Sequence, residues 1–164
     1  KNWVFFERDN RLYFIFQCSP EQIVCRLAKD GVTVDEVYRT KSPSWSHGEI
    51  RGGTQPLNVP RSGGDNGWLR FFHSLHKEGN NRNAWSYCIG ALVMDSEPPF
   101  QVRQVSKWPV FSGNEEYVPN WNFFKAAVAI PYGALNRPDG WLLTVGLNDS
   151  KCATIEVNEK QLNL

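Results

Sequence analysis

No stretch of this chain approaches the roughly 20 apolar residues that a membrane-crossing helix needs, and no secretory leader opens it. The first residue is Lys1, which is expected of a processed chain or of a portion of something longer. The compartment is left open, with the cytoplasm ahead. Neither sign of charge dominates: 18 Lys and Arg stand against 17 Asp and Glu, for a net charge of +1. The basic residues form no block, which removes the electrostatic case for nucleic acid or an anionic membrane. CxxC pairs are missing. Cys18, Cys25, Cys88 and Cys152 are expected as free thiols, with a Cys18 to Cys25 bridge as the alternative, and Cys88 and Cys152 fall in apolar strand patterns as small hydrophobes. Histidine is scarce, and the close pair His73 and His76 has no Cys near it, so no metal site is expected. Helix-period patterning is weak everywhere, including Glu159 to Leu164.

Aromatic residues are plentiful, at 13% with seven Trp. Aromatic runs punctuated by Gly and Pro favour strands. Asn2 to Glu7 is followed by the turn signal Arg8-Asp9-Asn10. Leu12 to Phe16 is a short apolar run, ended by Ser19-Pro20. Gln22 to Leu27 and Val32 to Arg39 complete four short strands, an antiparallel meander. A second unit follows the same order: Arg51 to Val59, Trp68 to His73, Trp85 to Met94 and Phe100 to Ser106. A third starts near Phe123, with Ala126 to Ile130, a loop at Asn136 to Gly140, then Trp141 to Val145 and Lys151 to Val157. Glu159 to Leu164 reads as a tail or a fourth strand.

Gly67-Trp68-Leu69 and Gly140-Trp141-Leu142 both open a strand after a Gly/Asp loop, and Leu12 opens the equivalent strand of the first unit. Such echoes predict an all-β, β-propeller-like chain of four-stranded antiparallel sheets, about two and a half to three blades, in one domain over 1–164. The candidate blades are 1–42, 48–110 and 121–164. An ordinary β-sandwich with accidental echoes is the alternative. An open arc leaves strand edges and a blade face exposed. That predicts association, either with copies of this chain, two arcs making a six-bladed ring, or with blades supplied from elsewhere.

Several segments carry a family resemblance: Lys1-Asn2-Trp3, Arg51 to Pro56, Gly67 to Ser74, Tyr87 to Asp95 before Pro98-Pro99, Pro131-Tyr132-Gly133, and Gly146 to Asp149. In order and spacing the chain resembles the propellers of glycoside hydrolase family 130, the β-mannoside phosphorylases and hydrolases. The resemblance implies a five-bladed propeller with a central sugar site. For active members it implies cleavage of β-mannosides by phosphate or water, with inorganic phosphate as co-substrate and no cofactor. His73 matches a phosphate-contacting His of that family, and Lys1 stands where a phosphate-contacting Lys is found. The family's proton-donating Asp and its Arg contacts to phosphate belong to an earlier blade, in an acidic segment followed by Arg that has no match in these residues. No catalytic acid is therefore assigned.

The residues themselves suggest a substrate site at Arg51, Gly52, Gly53, His73 and Asp149. Arg51 offers a bidentate clamp, or is an exposed turn residue. Gly52 and Gly53 let backbone approach a ligand. His73, titrating near neutrality, suits an oxyanion or a sugar hydroxyl, or else it caps the core. Asp149 offers a carboxylate to sugar hydroxyls, or makes an Asx turn; Asn148-Asp149-Ser150 is also a formal glycosylation acceptor. Trp68 and Trp141 hold equivalent positions and read as packing between blades. Trp45, Trp85 and Trp121 lie beside loops, where one could stack on a sugar ring. Asp95, Glu115, Glu116 and Asp149 do not resolve into the carboxylate pair of ordinary glycoside hydrolysis. The expected function is a carbohydrate-active propeller portion, or a non-catalytic carbohydrate-binding or assembly module on the same scaffold.

Overall fold

A computed structural model describes residues 3–60, 66–77, 85–113 and 128–164. The described residues form antiparallel sheets and one short helix. The first sheet is a four-stranded meander of β1 (Val4–Arg8), β2 (Arg11–Gln17), β3 (Glu21–Leu27) and β4 (Val34–Lys41), paired in chain order. Asp9 and Asn10, both at positive φ, make the β1–β2 turn, the hairpin geometry that Asn and Asp tolerate.

The second sheet is built on two long partners, β7 (Asn66–Lys77) and β8 (Trp85–Asp95). Its first strand is not continuous from Arg51 to Val59, as the sequence suggested. It is split into β5 (Glu49–Gly53) and β6 (Leu57–Pro60), both paired with β7. Thr54 sits at the break, where its hydroxyl accepts from the Phe71 N–H at 3.0 Å, and Pro56 has no N–H to give. The outer edge is divided too, into β9 (Val102–Val105) and β10 (Phe111–Ser112), both on β8.

The third sheet holds β11 (Ala129–Arg137), β12 (Gly140–Leu147) and β13 (Lys151–Val157) in order. The loop expected at 136–140 is tighter, because β11 runs to Arg137 and Gly140, at φ 141, turns the chain directly into β12. The last segment is α1 (Glu159–Leu162), neither tail nor strand. Asn158 caps it: its side chain accepts from Gln161 N–H, and the Gln161 side chain bonds back to the Asn158 N–H. This is a capping box, and Leu162 closes onto the core.

β7 explains how the sheets stack. Its side chains alternate between two faces. Trp68 and Phe72 pack against the first sheet with Val4, Phe6, Tyr13, Ile15 and Val24. Leu69 and Phe71 pack against the third sheet with Leu143, Val145 and Val157. The three sheets thus follow one another face to face, a β-propeller-like run of blades rather than two sheets enclosing one core. Trp68 and Trp141 sit in these successive joints, Trp141 edge-on to Phe71 at 6.1 Å. All four cysteines are free thiols. Cys88 is buried as expected, but Cys152 is exposed on β13, facing away from the core.

A candidate site where strand bulges meet

Each sheet carries a β-bulge near its joint with the next. On β2 the extra residue is Phe16, between Ile15 and Gln17. On β5 the shift lies between Ile50 and Gly53, across Arg51 and Gly52. On β11 it is Tyr132, between Pro131 and Gly133. A bulge re-aims side chains out of the strand's regular alternation. Here the three bulges gather around Trp3. Phe16, Arg51 and Gly52 line a cleft of about 810 Å³ with Trp3, Gln17, Cys18, Ser19, Glu49 and Ile50. Tyr132 and Gly53 line a second, of about 520 Å³, with Trp3 and Gln55. Trp3 is the shared wall. It is 53% exposed, its ring tilted over Phe14 at 5.2 Å and Phe16 at 5.7 Å.

Arg51 and Gly52 therefore share one cleft. Arg51 Nη2 donates to Glu49 Oε2 at 3.1 Å, an exposed pair that contributes little stability but presents donors and an acceptor side by side. Gly53 belongs to the neighbouring cleft, and packing alone requires its lack of a side chain: a Cβ there would lie 2.0 Å from the Phe71 carbonyl oxygen.

His73 stands behind Gly52. Its Nδ1 is 2.7 Å from the Gly52 carbonyl oxygen, so this nitrogen carries the proton and donates. The ring is 2% exposed and stacks on Tyr87 at 6.2 Å. Burial pushes its pKa down to about 4; the Gly52 hydrogen bond opposes this, and the charge of Arg51 adds to it. His73 thus does not titrate near neutrality, contrary to the sequence reading. It is a neutral ring at physiological pH and brings no positive charge to an oxyanion.

The sign of the pH effect follows. An unfolded chain takes up this proton near the ordinary 6.5, the folded one only near 4. The stability from burying the neutral ring is present above 6.5 and is lost as pH falls towards 4, by up to about 3 kcal/mol. Melting temperatures measured from pH 7 to pH 4 are expected to fall more steeply for the wild type than for His73→Asn; parallel curves would reject the assignment.

Asp149 lines neither cleft. It is exposed in the β12–β13 turn, a three-residue hairpin loop closed by the Leu147–Lys151 pair, where Asn148 and Asp149 have φ 52 and 53. Asn148 is buried and its Oδ1 accepts from the Val128 N–H at 2.5 Å, which leaves the formal glycosylation acceptor committed to the fold. Trp45 lies in a loop, half-buried, and lines a separate cleft of about 770 Å³ with Ser44 and Gly48; its indole N–H donates to the Ser106 carbonyl at 2.6 Å and its ring meets Phe72 at 4.8 Å. Lys1, Glu115, Glu116 and Trp121 lie outside the described residues. Asp95 is held by Arg103, whose Nε lies 2.9 Å from Asp95 Oδ2. The sequence reading missed Trp3 and Tyr132 as cleft walls; each lay inside a quoted motif, but nothing in the pattern marks the bulges that aim them.

No family model and no curated protein sequence matches the chain. Solved structures do. The β-1,2-mannobiose phosphorylase from Listeria innocua, solved with β-1,2-mannobiose, matches with a TM-score of 0.69 at 20% identity, over 99% of this chain and 45% of that one. A structure reported for glycoside hydrolases of family GH130 that target β-1,2 mannosidic linkages in Candida mannan matches with a TM-score of 0.66 at 15% identity, over 97% and 48%. A glycosyl hydrolase from Bacteroides ovatus matches with 0.63 at 12%, over 97% and 48%. The chain spans about half the length of these structures. At these identities the likeness is one of fold, and it is the fold that the sequence motifs resembled.

Proposed function

We propose that the cleft bounded by Trp3, Phe16 and Arg51 binds a carbohydrate of the mannoside class. The observation that carries this is the convergence of three bulges, one from each sheet, on a single exposed Trp. An aromatic face offers apolar area to a sugar ring. The Arg51–Glu49 pair and the Gln17 and Ser19 side chains offer donors and acceptors to hydroxyls. The mannobiose bound in the Listeria innocua structure supplies the substrate class.

Catalysis would need a proton donor, and this cleft's one carboxylate among the described lining residues, Glu49, is already paired with Arg51. The chain by itself is accordingly read as a binding module, or as part of a larger site that phosphate or water would complete. Incubating it with β-1,2-mannobiose, with and without phosphate, and following free mannose tests this. Saturable binding without turnover is expected. Turnover would show that the chain carries its own acid, and absence of binding would end the proposal.

Association belongs to the same reading. The outer face of the first sheet leaves Phe5, Leu12, Phe16, Val34 and Val37 exposed around a depression of about 730 Å³. A contiguous group of exposed apolar side chains of this kind marks an association surface on a folded protein. The outer face of the third sheet is mixed, with Tyr132 and Leu135 exposed beside Thr144, Thr154 and Glu156. Head-to-tail closure into a ring would set this apolar face against the mixed one, with Thr144, Thr154 and Glu156 opposite Phe5, Leu12 and Val37. A second copy seated apolar face to apolar face satisfies both. Sedimentation is expected to give twice 18.8 kDa, and Val37→Asp to return the monomer; a wild-type monomer would contradict this.

A further inference from the structure

The interior of β7 holds a cation with no counter-charge among the described residues. Arg70 is 0% exposed and lies between Trp68 and Phe72 on the strand face turned to the first sheet. Its polar contacts are long: Nε to the Thr54 carbonyl at 3.5 Å, and Nη2 to Cys18 Sγ at 4.0 Å. Nη1 has no partner. No carboxylate among the described residues pairs with it. A guanidinium keeps its charge when buried, and a buried charge left uncompensated is strongly destabilising.

Arg70 also has a direction. Its Nη2 end points at Cys18, and Cys18 lines the Trp3–Arg51 cleft. One small side chain, packed at the edge of the core and touching Arg70 only through a long contact, lies between the cleft and the guanidinium. We propose that Arg70 is the floor of an anion subsite, which binds one small oxyanion through Nη1 and Nη2 when the Cys18 side chain turns aside. The fork of a guanidinium matches two oxygens of a phosphate, sulfate or carboxylate. This subsite is separate from His73, which lies on the other face of β7 and is neutral. It stands on Arg70 and Cys18 and does not require that the cleft bind a neutral sugar.

Thermal unfolding in chloride, sulfate and phosphate at equal ionic strength tests it. For the wild type, sulfate and phosphate are expected to raise the melting temperature by about 2–4 °C over chloride, the shift for roughly 1 kcal/mol in a chain of this size. Arg70→Met removes the buried charge, so it is expected to melt no lower than the wild type in chloride and to lose the oxyanion shift. Cys18→Asp places a carboxylate beside Nη2. It is expected to raise the melting temperature in chloride and likewise to abolish the shift, and it decides the matter if the Met variant fails to fold. Mannose 6-phosphate and glucuronate form the second arm: a larger shift than free phosphate at equal concentration assigns the oxyanion to a sugar, an equal or smaller one to the free ion. A wild type indifferent to oxyanions, or a Cys18→Asp variant that keeps the shift, overturns the subsite.

Discussion

Replacing Phe100 with Ala is expected to cost about 3–5 kcal/mol, the usual range for deleting a buried aromatic ring. That is a large part of the 5–15 kcal/mol that holds a typical domain folded. Phe100 is 0% exposed and joins the first sheet to the second. Its ring meets Phe6, Tyr13 and Tyr38 edge-on at 5.4–5.6 Å and stacks on Trp68 at 5.9 Å. The backbone is held for this purpose. Phe100 has φ 62, a conformation that costs a non-glycine residue of order 1 kcal/mol or more. Its carbonyl accepts from the buried Gln22 side chain at 2.6 Å, and its N–H donates to the Glu97 carbonyl at 2.8 Å. Urea unfolding checks the prediction. Phe100→Leu, which keeps apolar volume, should lose distinctly less than Phe100→Ala. A loss below about 1 kcal/mol for Ala would mean that the first two sheets are not joined through this ring, and the cleft between them would lose its support.

Gly53→Ala is expected to cost about 2–3 kcal/mol and to remove ligand binding as well. The added methyl would sit 2.0 Å from the Phe71 carbonyl oxygen and 2.8 Å from Phe72 Cα. Both are backbone atoms of β7, so no side-chain rotation relieves the clash, and overpacking of this kind is destabilising. The strand that must move is β5, which carries Arg51 and Gly52 into the cleft. Gly31→Ala is the control. It lies in the β3–β4 turn with nothing within 4 Å of an added Cβ, and only its φ of 70 is strained. It is expected to lose less stability than Gly53→Ala and to leave binding intact. Equal behaviour of the two variants would show that the bulge does not shape the cleft.

Much of the scaffold was legible because it rests on local rules. The first meander follows from apolar runs separated by Asp9-Asn10, Ser19-Pro20 and Asp30-Gly31. The repeated Gly-Trp-Leu marks a Trp that packs between successive sheets, and Trp68 and Trp141 do so. What stayed hidden depends on pairing. A bulge inserts a residue without changing the composition of a strand, so Phe16, Arg51 and Tyr132 look like ordinary strand residues until their partners are known. The break at Thr54–Pro56 is of the same kind, although Pro56 was a signal that could have been used. The helix at Glu159–Leu162 was also legible: Asn158 followed three residues later by Gln161 is a capping box, outweighed by the shortness of the segment.

The site was half visible. Arg51 and Gly52 line one cleft and His73 lies buried behind Gly52; the state of His73 depends on that burial, which no motif states. Arg70 was invisible for the opposite reason. A single Arg in an apolar strand reads as the residue that faces solvent, and β7 is covered on both faces.

Calorimetric titration of β-1,2-mannobiose into the wild type, Trp3→Ala and Asp149→Ala would decide whether a sugar sits where the bulges meet. Saturable binding is expected for the wild type and for Asp149→Ala, with affinity at least tenfold weaker for Trp3→Ala, a loss of about 1.4 kcal/mol. If Trp3→Ala binds as the wild type does, or Asp149→Ala alone loses the sugar, the carbohydrate site lies elsewhere on this fold.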